Sequence, residues 1–331
     1  MEPSPDPLGP IGLVLPTFLQ NTVPVCAGPS DGDADRDGAA DPMADLAAVC
    51  AGAEELGADA LWACDHLFWH GPCLESMLAL TVAATATRRV GLGTCVVQLP
   101  LRRTSVVAKQ AASLQSLSGG RFILGVGVGS HPGEYQQAGI DFHDRGRLLD
   151  AGIADLRQSW STGHGVDRGD PAVGGASQYR QLPEPSAIPV WVGGSSHAAL
   201  RRAATLADGW MPLFLSPAQY GEAVEQLAKE VAGAGRPTET VTPAMVLFVS
   251  IDDDPVTSLG RGTRWMSSLY GIPAKAFDRH LVAGTAAEVA EVVATYRSAG
   301  AQHVAIYVTQ DQPLDQFDRL TSALRGAGMP T

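Results

Sequence analysis

The sequence contains few charged residues, and most of those it has are acidic. Asp, Glu, Lys and Arg make up 18% of the 331 residues, and the formal net charge is −12. Binding to nucleic acid or to an anionic membrane surface requires clustered Lys and Arg. A chain that is 45% hydrophobic and poor in charge is typical of buried helices packed around a sheet. We therefore expect neither nucleic acid nor a membrane as a partner.

Targeting segments, membrane spans and paired cysteines are also missing. Residues Met1–Pro10 have neither a basic start nor an apolar stretch, so no secretory signal is predicted. No apolar run reaches the length of about 18 residues that a transmembrane helix needs. The scattered cysteines form no C-x-x-C pair, which predicts reduced thiols in a cytoplasmic protein and argues against a metal site. They are Cys26, Cys50, Cys64, Cys73 and Cys95.

Several common catalytic motifs are absent from the chain. It has no G-x-S-x-G nucleophile elbow, no H-E-x-x-H metal helix and no G-x-x-x-x-G-K-[ST] phosphate loop. Hydrolase and nucleotide triphosphatase functions therefore have no motif to support them.

What the chain does have is a repeated alternation of short apolar strands and helical stretches. Strands that are apolar without alternation belong to parallel sheets covered on both faces. Eight such units favour an α/β fold with a closed (β/α)8 barrel, the TIM barrel, over an open sheet. We expect one domain over residues 1–331. The predicted strands are Ile11–Phe18, Ala60–Cys64, Val90–Gln98, Arg121–Val128, Pro189–Val192, Gly209–Phe214, Thr242–Ser250 and His303–Val308.

Between the strands, periodic apolar residues predict helices. The segment Ala27–Asp41 is rich in Asp and Gly, which predicts a flexible acidic insertion after strand one, either on the surface or as a lid. A long stretch, Val256–Arg297, is interpreted as two helices broken near Gly271 and Gly284. The remaining predicted helices are Pro42–Leu56, Glu75–Arg88, Ser105–Leu117, Arg145–Trp160, His197–Leu206, Pro217–Ala232 and Leu314–Arg325.

A glycine- and serine-rich turn, Gly193-Gly194-Ser195-Ser196, joins the fifth strand to its helix. Glycines let a backbone approach a phosphate closely, and the first N–H groups of a helix have no partner within it. Serine adds hydroxyl donors. The turn is therefore a candidate phosphate site, although the same residues also suit an ordinary turn with a serine N-cap.

The fourth strand ends in Gly125-Val126-Gly127-Val128-Gly129. A dinucleotide-binding G-x-G-x-x-G needs a helix that opens at once, and Pro132 opposes this. We therefore reject a Rossmann-type site. Gly127 and Gly129 are interpreted as positions that leave room for a planar ring above the barrel.

The second strand ends in Asp65-His66, at the face where barrel enzymes carry their catalytic groups. A histidine titrates near neutrality and can exchange a proton beside a ring that transfers hydride. The alternative is a capping pair that fixes the strand–loop corner. Trp69 and His70 follow on the same loop, where they could form a wall of a substrate pocket or simply pack the loop.

Three segments taken together resemble the bacterial luciferase-like monooxygenase family, including its branch that uses the deazaflavin coenzyme F420. They are Val90–Gly129, which holds an LSGGR turn, Ile188–Pro212, which holds the GGSS turn, and Ala60–His66, which reads ALWACDH. With weaker matches elsewhere, the resemblance covers nearly the whole chain. It implies a barrel oxidoreductase with a flavin-type cofactor and a small-molecule substrate, and family members are often homodimers.

The resemblance also implies site residues. The cofactor phosphate would be held at Gly193–Ser196, and the ring would be supported by the segment Thr94, Cys95 and Val96, with a non-proline cis peptide between Cys95 and Val96. The Asp-His pair is typical of the deazaflavin branch, which implies His66 and Asp65 as catalytic residues, with Asp65 also contacting the cofactor.

Ser130 and Gly133 stand where some deazaflavin enzymes carry an acidic residue and an amide, a departure that argues against a sugar-phosphate dehydrogenase mechanism. Arg102 and Arg103 could meet an acidic cofactor tail or could be solvated charges.

The leading hypothesis is thus hydride transfer between coenzyme F420 and a small organic substrate. An FMN-dependent monooxygenase is the alternative. A barrel without cofactor, acting as a binding or non-redox protein, is a second alternative.

Overall fold

The structure is a computed structural model that describes residues 9–18, 42–164, 180, 183–185 and 187–330. The predicted insertion at residues 27–41 lies outside these ranges. The strands are β1 Ile11–Val14, β2 Ala60–Ala63, β3 Gly91–Thr94, β4 Val97–Gln98, β5 Phe122–Gly127, β6 Val190–Gly193, β7 Gly209–Met211, β8 Thr242–Ile251, β9 Leu281–Gly284 and β10 His303–Val308.

All of these strands run parallel, and together they close a barrel. The ring follows the order β1, β2, β3 with β4, β5, β6, β7, β8 and β10, and β10 pairs with β1 to complete it. The predicted TIM barrel is therefore confirmed. The helices that cover it are α1 Pro42–Glu55, α2 Ser76–Ala86, α3 Thr104–Leu117, α4 Pro132–Gln137, α5 Arg145–Thr162, α6 His197–Leu206, α7 Pro217–Gly233, α8 Pro255–Tyr270, α9 Ala286–Ser298 and α10 Pro313–Gly326.

The interior of the barrel near the N-terminal ends of its strands is filled by two indole rings. Trp62 and Trp191 pack with ring centroids 5.2 Å apart, and the buried His303 lies beside them. Glycines on neighbouring strands leave the space for these rings. A Cβ atom at Gly209 would lie 2.5 Å from the Trp191 ring, and one at Gly93 would overlap the Trp62 ring. This end of the barrel is consequently a packed core.

The third predicted strand is interrupted in the structure. The peptide bond between Cys95 and Val96 is cis, as the family resemblance implied, and it separates β3 from β4. Two other strands end at least three residues earlier than predicted. The first ends at Val14, with Phe18 forming an isolated bridge to Cys73, and the sixth ends at Met211.

The prediction for residues 256–297 is partly wrong. The two helices and their breaks are present, since Gly271 adopts a left-handed conformation after α8 and Gly284 precedes α9. Between them, however, β9 pairs with the C-terminal half of β8, from Leu281 opposite Phe248 to Gly284 opposite Ile251. A four-residue strand carries too little periodicity to be distinguished from a helix by pattern, and its partner lies far away in sequence.

Pro132 has a different role from the one the sequence suggested. It occupies the first turn of the short helix α4, where its missing N–H costs no hydrogen bond and its φ angle is already helical. The helix opens three residues after Gly129, so it carries side chains back over the barrel mouth.

Candidate active site

The residues singled out from the sequence lie at the C-terminal ends of four neighbouring strands. His66 follows β2, Cys95 and Val96 lie between β3 and β4, Gly129 follows β5, and Gly194 follows β6. Because these strands are parallel neighbours in the ring, their C-terminal ends meet at one face of the barrel. The structure thus brings the predicted site residues to a single region.

The imidazole ring of His66 is hydrogen-bonded at its edge and packed against aromatic rings on its faces. Its Nδ1 atom lies 3.0 Å from Oε2 of Glu134. Its ring packs against Trp69 with centroids 4.0 Å apart and against Phe18 with centroids 5.7 Å apart. The side chain nevertheless stays 18% exposed. These contacts restrict the imidazole to one orientation while part of it remains accessible.

Glu134, on α4, is the residue that ties the loop after β2 to the loop after β5. Its Oε1 accepts hydrogen bonds from the backbone N–H groups of Leu67 and Phe68, at 3.1 and 3.2 Å. Burial would raise the pKa of this carboxyl, but hydrogen bonds from His66, Gln98 and Phe68 outweigh it, and the pKa is lowered. Glu134 is therefore an ionised group although its side chain is only 3% exposed.

Asp65 faces away from the cavity that His66 lines. Its side chain is fully buried, and its carboxylate pairs with the guanidinium of Arg102 at 2.5 Å. The same carboxylate accepts hydrogen bonds from Ser76 Oγ and from the backbone N–H of Gln98. The structure thus separates the predicted Asp-His pair. Arg102 also contacts Glu75 and is neither a solvated charge nor free for a cofactor tail.

A cavity of about 580 Å³ opens beside His66. Trp69 and His70, the predicted pocket residues, line it together with His131, which packs edge-on against Trp69 at 4.8 Å. Burial and the neighbouring His66 lower the pKa of His131. The lining is therefore aromatic and imidazole-rich. Among the described residues, no three His, Cys, Asp or Glu side chains are arranged to hold a metal ion.

The glycines at the ends of β5 and β6 make room for the segment between β3 and β4. A Cβ atom at Gly127 would lie 2.5 Å from the Val96 side chain, and one at Gly193 would lie 3.0 Å from it. A Cβ atom at Gly129 would overlap Oε1 of Gln98. Gly127 and Gly129 therefore leave room for the side chains of Val96 and Gln98, and their contact with a planar ring stays a prediction.

The turn at Gly193–Ser196 is exposed and leads directly into α6. Gly194 has a φ of +110°, which favours glycine. Ser196 is the N-cap, and its Oγ accepts the N–H of Ala199 at 3.2 Å. The earlier N–H groups of α6 have no partner within the helix and carry a partial positive charge. The arrangement is chemically suited to a phosphate.

The barrel interior just below this face contains thiols and phenols. The Sγ atoms of Cys64 and Cys95 lie 3.7 Å apart, and their hydrogen bond together with burial raises the pKa of Cys64. Tyr307 stacks on Phe248 with centroids 4.9 Å apart. The Tyr307 hydroxyl is buried next to the Cys64 thiol, with which it interacts. Oε1 of Gln98 is a buried atom for which the described residues supply no hydrogen-bond partner.

Three residues of the site did not emerge from the sequence: Glu134, Gln98 and His131. A histidine shortly after a barrel strand is a candidate by position alone, and this signal would have found His131. No local pattern indicates that Glu134 reaches back to a loop 66 residues earlier. The Gln98 amide donates to Glu134 Oε2 and to the Asp65 carbonyl, and no local sequence pattern predicts these contacts either.

Comparison with known proteins agrees with this picture. The family model described as "Luciferase-like monooxygenase" matches residues 25–257 of the chain. A curated relative, the phthiodiolone/phenolphthiodiolone dimycocerosates ketoreductase of Mycobacterium tuberculosis, is 30% identical over 203 residues. That region is 58% of this chain, and the chain spans about half, 52%, of the relative's length.

Solved structures share the fold at low sequence identity. An F420-dependent secondary alcohol dehydrogenase, in complex with an F420–acetone adduct, superimposes with a TM-score of 0.78 at 17% identity, covering 96% of this chain and 98% of the other. A riboflavin lyase with modified FMN and riboflavin superimposes with a TM-score of 0.69 at 15% identity, covering 98% and 93%. Within the described residues, no helix is long and apolar enough to cross a membrane.

Proposed function

Because this chain belongs to the luciferase-like monooxygenase family, we propose that it is an oxidoreductase that uses coenzyme F420 to exchange a hydride with a small alcohol or carbonyl compound. The observation that carries the proposal is the placement of His66. Its Nδ1 is engaged by Glu134, while the ring remains partly exposed beside a cavity of about 580 Å³. A histidine held in this way is suited to exchanging a proton with a substrate oxygen.

The residues at the barrel mouth fit a flavin-type cofactor. The exposed turn Gly193–Ser196 would bind its phosphate through backbone N–H groups and the serine hydroxyls. Cys95 and Val96 are partly exposed and would support the ring. The unpartnered Gln98 Oε1 would gain a partner from a ring edge that carries N–H groups. When bound, the cofactor would supply the hydride acceptor or donor.

The protein's own groups would handle the proton and exclude water. In alcohol oxidation, His66 would take the hydroxyl proton as the hydride leaves the adjacent carbon, and in carbonyl reduction it would return the proton. Trp69, packed on the imidazole, shields one side of this position from solvent. We propose that Asp65 acts as a positioning residue and not as a proton acceptor, because its buried carboxylate binds Arg102 and the backbone N–H of Gln98.

The names of two similar proteins support an alcohol–ketone substrate pair. The curated relative is a ketoreductase and the structural neighbour is a secondary alcohol dehydrogenase. The cavity lining combines aromatic rings with imidazole groups, which suits a substrate that has both an apolar part and an oxygen that accepts or donates a hydrogen bond.

An FMN-dependent monooxygenase is the second candidate. One observation favours it: a protein of the same fold binds a modified FMN, and the exposed turn would suit the FMN phosphate equally well. A barrel without cofactor is the third candidate, which the exposed turn and the unpartnered Gln98 Oε1 disfavour.

A thermal-shift comparison of the two cofactors tests the proposal. A ligand present at 100 times its Kd stabilises a protein by about 2.7 kcal/mol, which raises the melting temperature measurably. Stabilisation by F420 alone is expected. Stabilisation by FMN alone would replace the proposal with the second candidate, and a response to neither would support the third.

A serine variant identifies where the phosphate binds. Ser196→Ala removes an N-cap and costs about 1 kcal/mol, and it should also reduce the cofactor-induced shift. Ser216→Ala is the matched control, since Ser216 caps α7 in the same way. The control should lose similar stability and keep the full cofactor shift. Equal cofactor shifts in both variants would contradict phosphate binding by Ser196.

A further inference from the structure

Glu134 contacts His66 with one carboxylate oxygen and the following loop with the other. Oε2 lies 3.0 Å from His66 Nδ1, and Oε1 accepts the N–H groups of Leu67 and Phe68. One side chain on α4 therefore controls both the orientation of the imidazole and the backbone that carries Trp69. The two oxygens have separable effects, because one meets backbone donors and the other meets the Gln98 amide and a ring nitrogen that can be a donor or an acceptor.

The proton on His66 can be assigned from its neighbours. Both oxygens of an ionised carboxylate accept hydrogen bonds and neither donates one. The Nδ1 atom next to Glu134 Oε2 must therefore carry a hydrogen, because two acceptors at 3.0 Å would repel each other.

Gln98 is consistent with that assignment. Its Nε2 lies 3.1 Å from Glu134 Oε2, 3.1 Å from the Asp65 carbonyl and 3.2 Å from His66 Nδ1. An amide nitrogen has two hydrogens, and the two oxygens accept both of them. No hydrogen is left for Nδ1 to accept, so Nδ1 remains a donor to Glu134. The described residues supply no hydrogen-bond partner for His66 Nε2.

We infer that Glu134 is a positioning residue that holds neutral His66 as its Nδ1–H tautomer, so that Nε2 presents a lone pair as the proton acceptor. The catalytic consequence rests on the proposed function, because an acceptor nitrogen is what removal of a hydroxyl proton requires. After the proton arrives, the imidazolium shares its Nδ1–H with the Glu134 carboxylate, which offsets the new positive charge.

The variant Glu134→Gln tests the inference because it retains the shape of the side chain. The amide oxygen can still accept the N–H groups of Leu67 and Phe68, which leaves its NH₂ group facing His66 Nδ1 and Gln98. The Gln98 amide, which donates to the native carboxylate, then rotates so that its unpartnered Oε1 accepts from the new NH₂ group. Nδ1 then has to accept, so the proton moves to Nε2 and the acceptor is lost. The variant thus preserves the loop and reverses the tautomer.

The measurement is ¹⁵N NMR of histidine-labelled, cofactor-free protein at mildly alkaline pH, where histidines are neutral. The His66 signal is identified by its loss in His66→Gln. We expect Nδ1–H in the wild type and Nε2–H in Glu134→Gln. In F420-dependent alcohol oxidation, kcat should fall by about tenfold or more with little change in KM.

Glu54→Gln is the matched control. Glu54 also accepts backbone N–H groups, those of Arg88, Arg89 and Val90, but it has no histidine partner. This variant should leave the His66 tautomer unchanged.

The outcomes separate the inference from the proposed function. An Nε2–H tautomer in the wild type would overturn the inference even if Glu134→Gln did not fold, and so would an unchanged tautomer in a folded Glu134→Gln. If the tautomer reverses but the protein responds to neither cofactor, the proposed function fails and the inference stands.

Discussion

A histidine at each end of the barrel allows a comparison, because His303 and His66 differ in burial and in hydrogen bonding. At the N-terminal end, His303 is fully buried, its Nε2 accepts the indole N–H of Trp62 at 2.9 Å and its Nδ1 donates to the Gly9 carbonyl at 2.6 Å. At the C-terminal end, the described residues engage His66 at Nδ1, through Glu134, and supply no partner for Nε2. One ring is thus hydrogen-bonded on both nitrogens, whereas the other is hydrogen-bonded by the described residues on one nitrogen.

The packing around each histidine explains the difference. Trp62 and Trp191 fill the barrel around His303, and glycines on the facing strands let them fit. Around His66 the strands have ended, and loops leave a cavity of about 580 Å³. The same residue type is therefore structural where neighbouring strands enclose it and available for chemistry where they diverge into loops.

The largest effect is expected for His66→Ala. Removing a group that transfers a proton lowers kcat by about 10²- to 10⁴-fold, while binding of the cofactor, followed by its fluorescence or absorbance, should change little. His70→Ala is the control, because His70 lines the same cavity but bonds only to the carbonyl of Ser268. It should change kcat by less than about tenfold. Full turnover of His66→Ala would remove the distinction between the two histidines.

The next largest expected effect is a loss of unfolding free energy at the packed, N-terminal end of the barrel. In Gly93→Ala, the new methyl group overlaps the Trp62 ring, which Trp191 and His303 hold in place, so overpacking should cost about 3 kcal/mol of unfolding free energy. Gly133→Ala lies at the open end, in the first turn of α4, and no described atom beyond its chain neighbours and own helix lies within 4 Å of the added carbon. It should not destabilise the protein and should raise the unfolding free energy by no more than about 1 kcal/mol, through helix propensity. Urea unfolding measures both. An equal loss of unfolding free energy in both variants would show that the two ends of the barrel are packed equally tightly.

The last effect is a pH dependence that belongs to His303, which is absent at neutral pH and grows only as the solution is acidified. Burial lowers its pKa to about 4, below the value of about 6.5 in the unfolded chain. Between these values the unfolded chain binds more protons than the folded one. The contribution of His303 to stability is therefore complete above about pH 6.5 and is lost as the pH falls towards 4, by up to about 3 kcal/mol.

His303→Gln should flatten this part of the stability–pH curve. The control is His143→Gln, since His143 is exposed, and its curve should follow that of the wild type. The measurement is the unfolding free energy at several pH values between 7 and about 4. If His303→Gln and the wild type kept the same slope, His303 would not be the enclosed neutral group that the comparison requires.

Features that depend on neighbours in sequence were predicted well. The apolar strand segments, the helix breaks at Gly271 and Gly284, and the turn at Gly193–Ser196 are all local patterns. The cis peptide between Cys95 and Val96 followed from family resemblance. By contrast, β9 was taken for part of a helical stretch, because its pairing with β8 decides its structure.

The site itself was only half accessible to sequence reasoning. His66, Trp69 and His70 could be proposed because they follow a barrel strand. The role of Asp65 could not be settled, since its partner Arg102 comes from another loop. Glu134 was overlooked because its contact with His66 spans 68 residues and no periodicity connects the two.

The sequence by itself determined the barrel, its family and the barrel face that carries the candidate site, because strand and helix periodicity and strand-end motifs are encoded locally. Only the tertiary structure decided which of two adjacent residues faces the cavity. Asp65 turns to Arg102, and His66 turns to Glu134. The physical reason is that hydrogen bonds and ion pairs are set by distances between atoms, and only folding brings the loops after β2 and β5 within reach of each other.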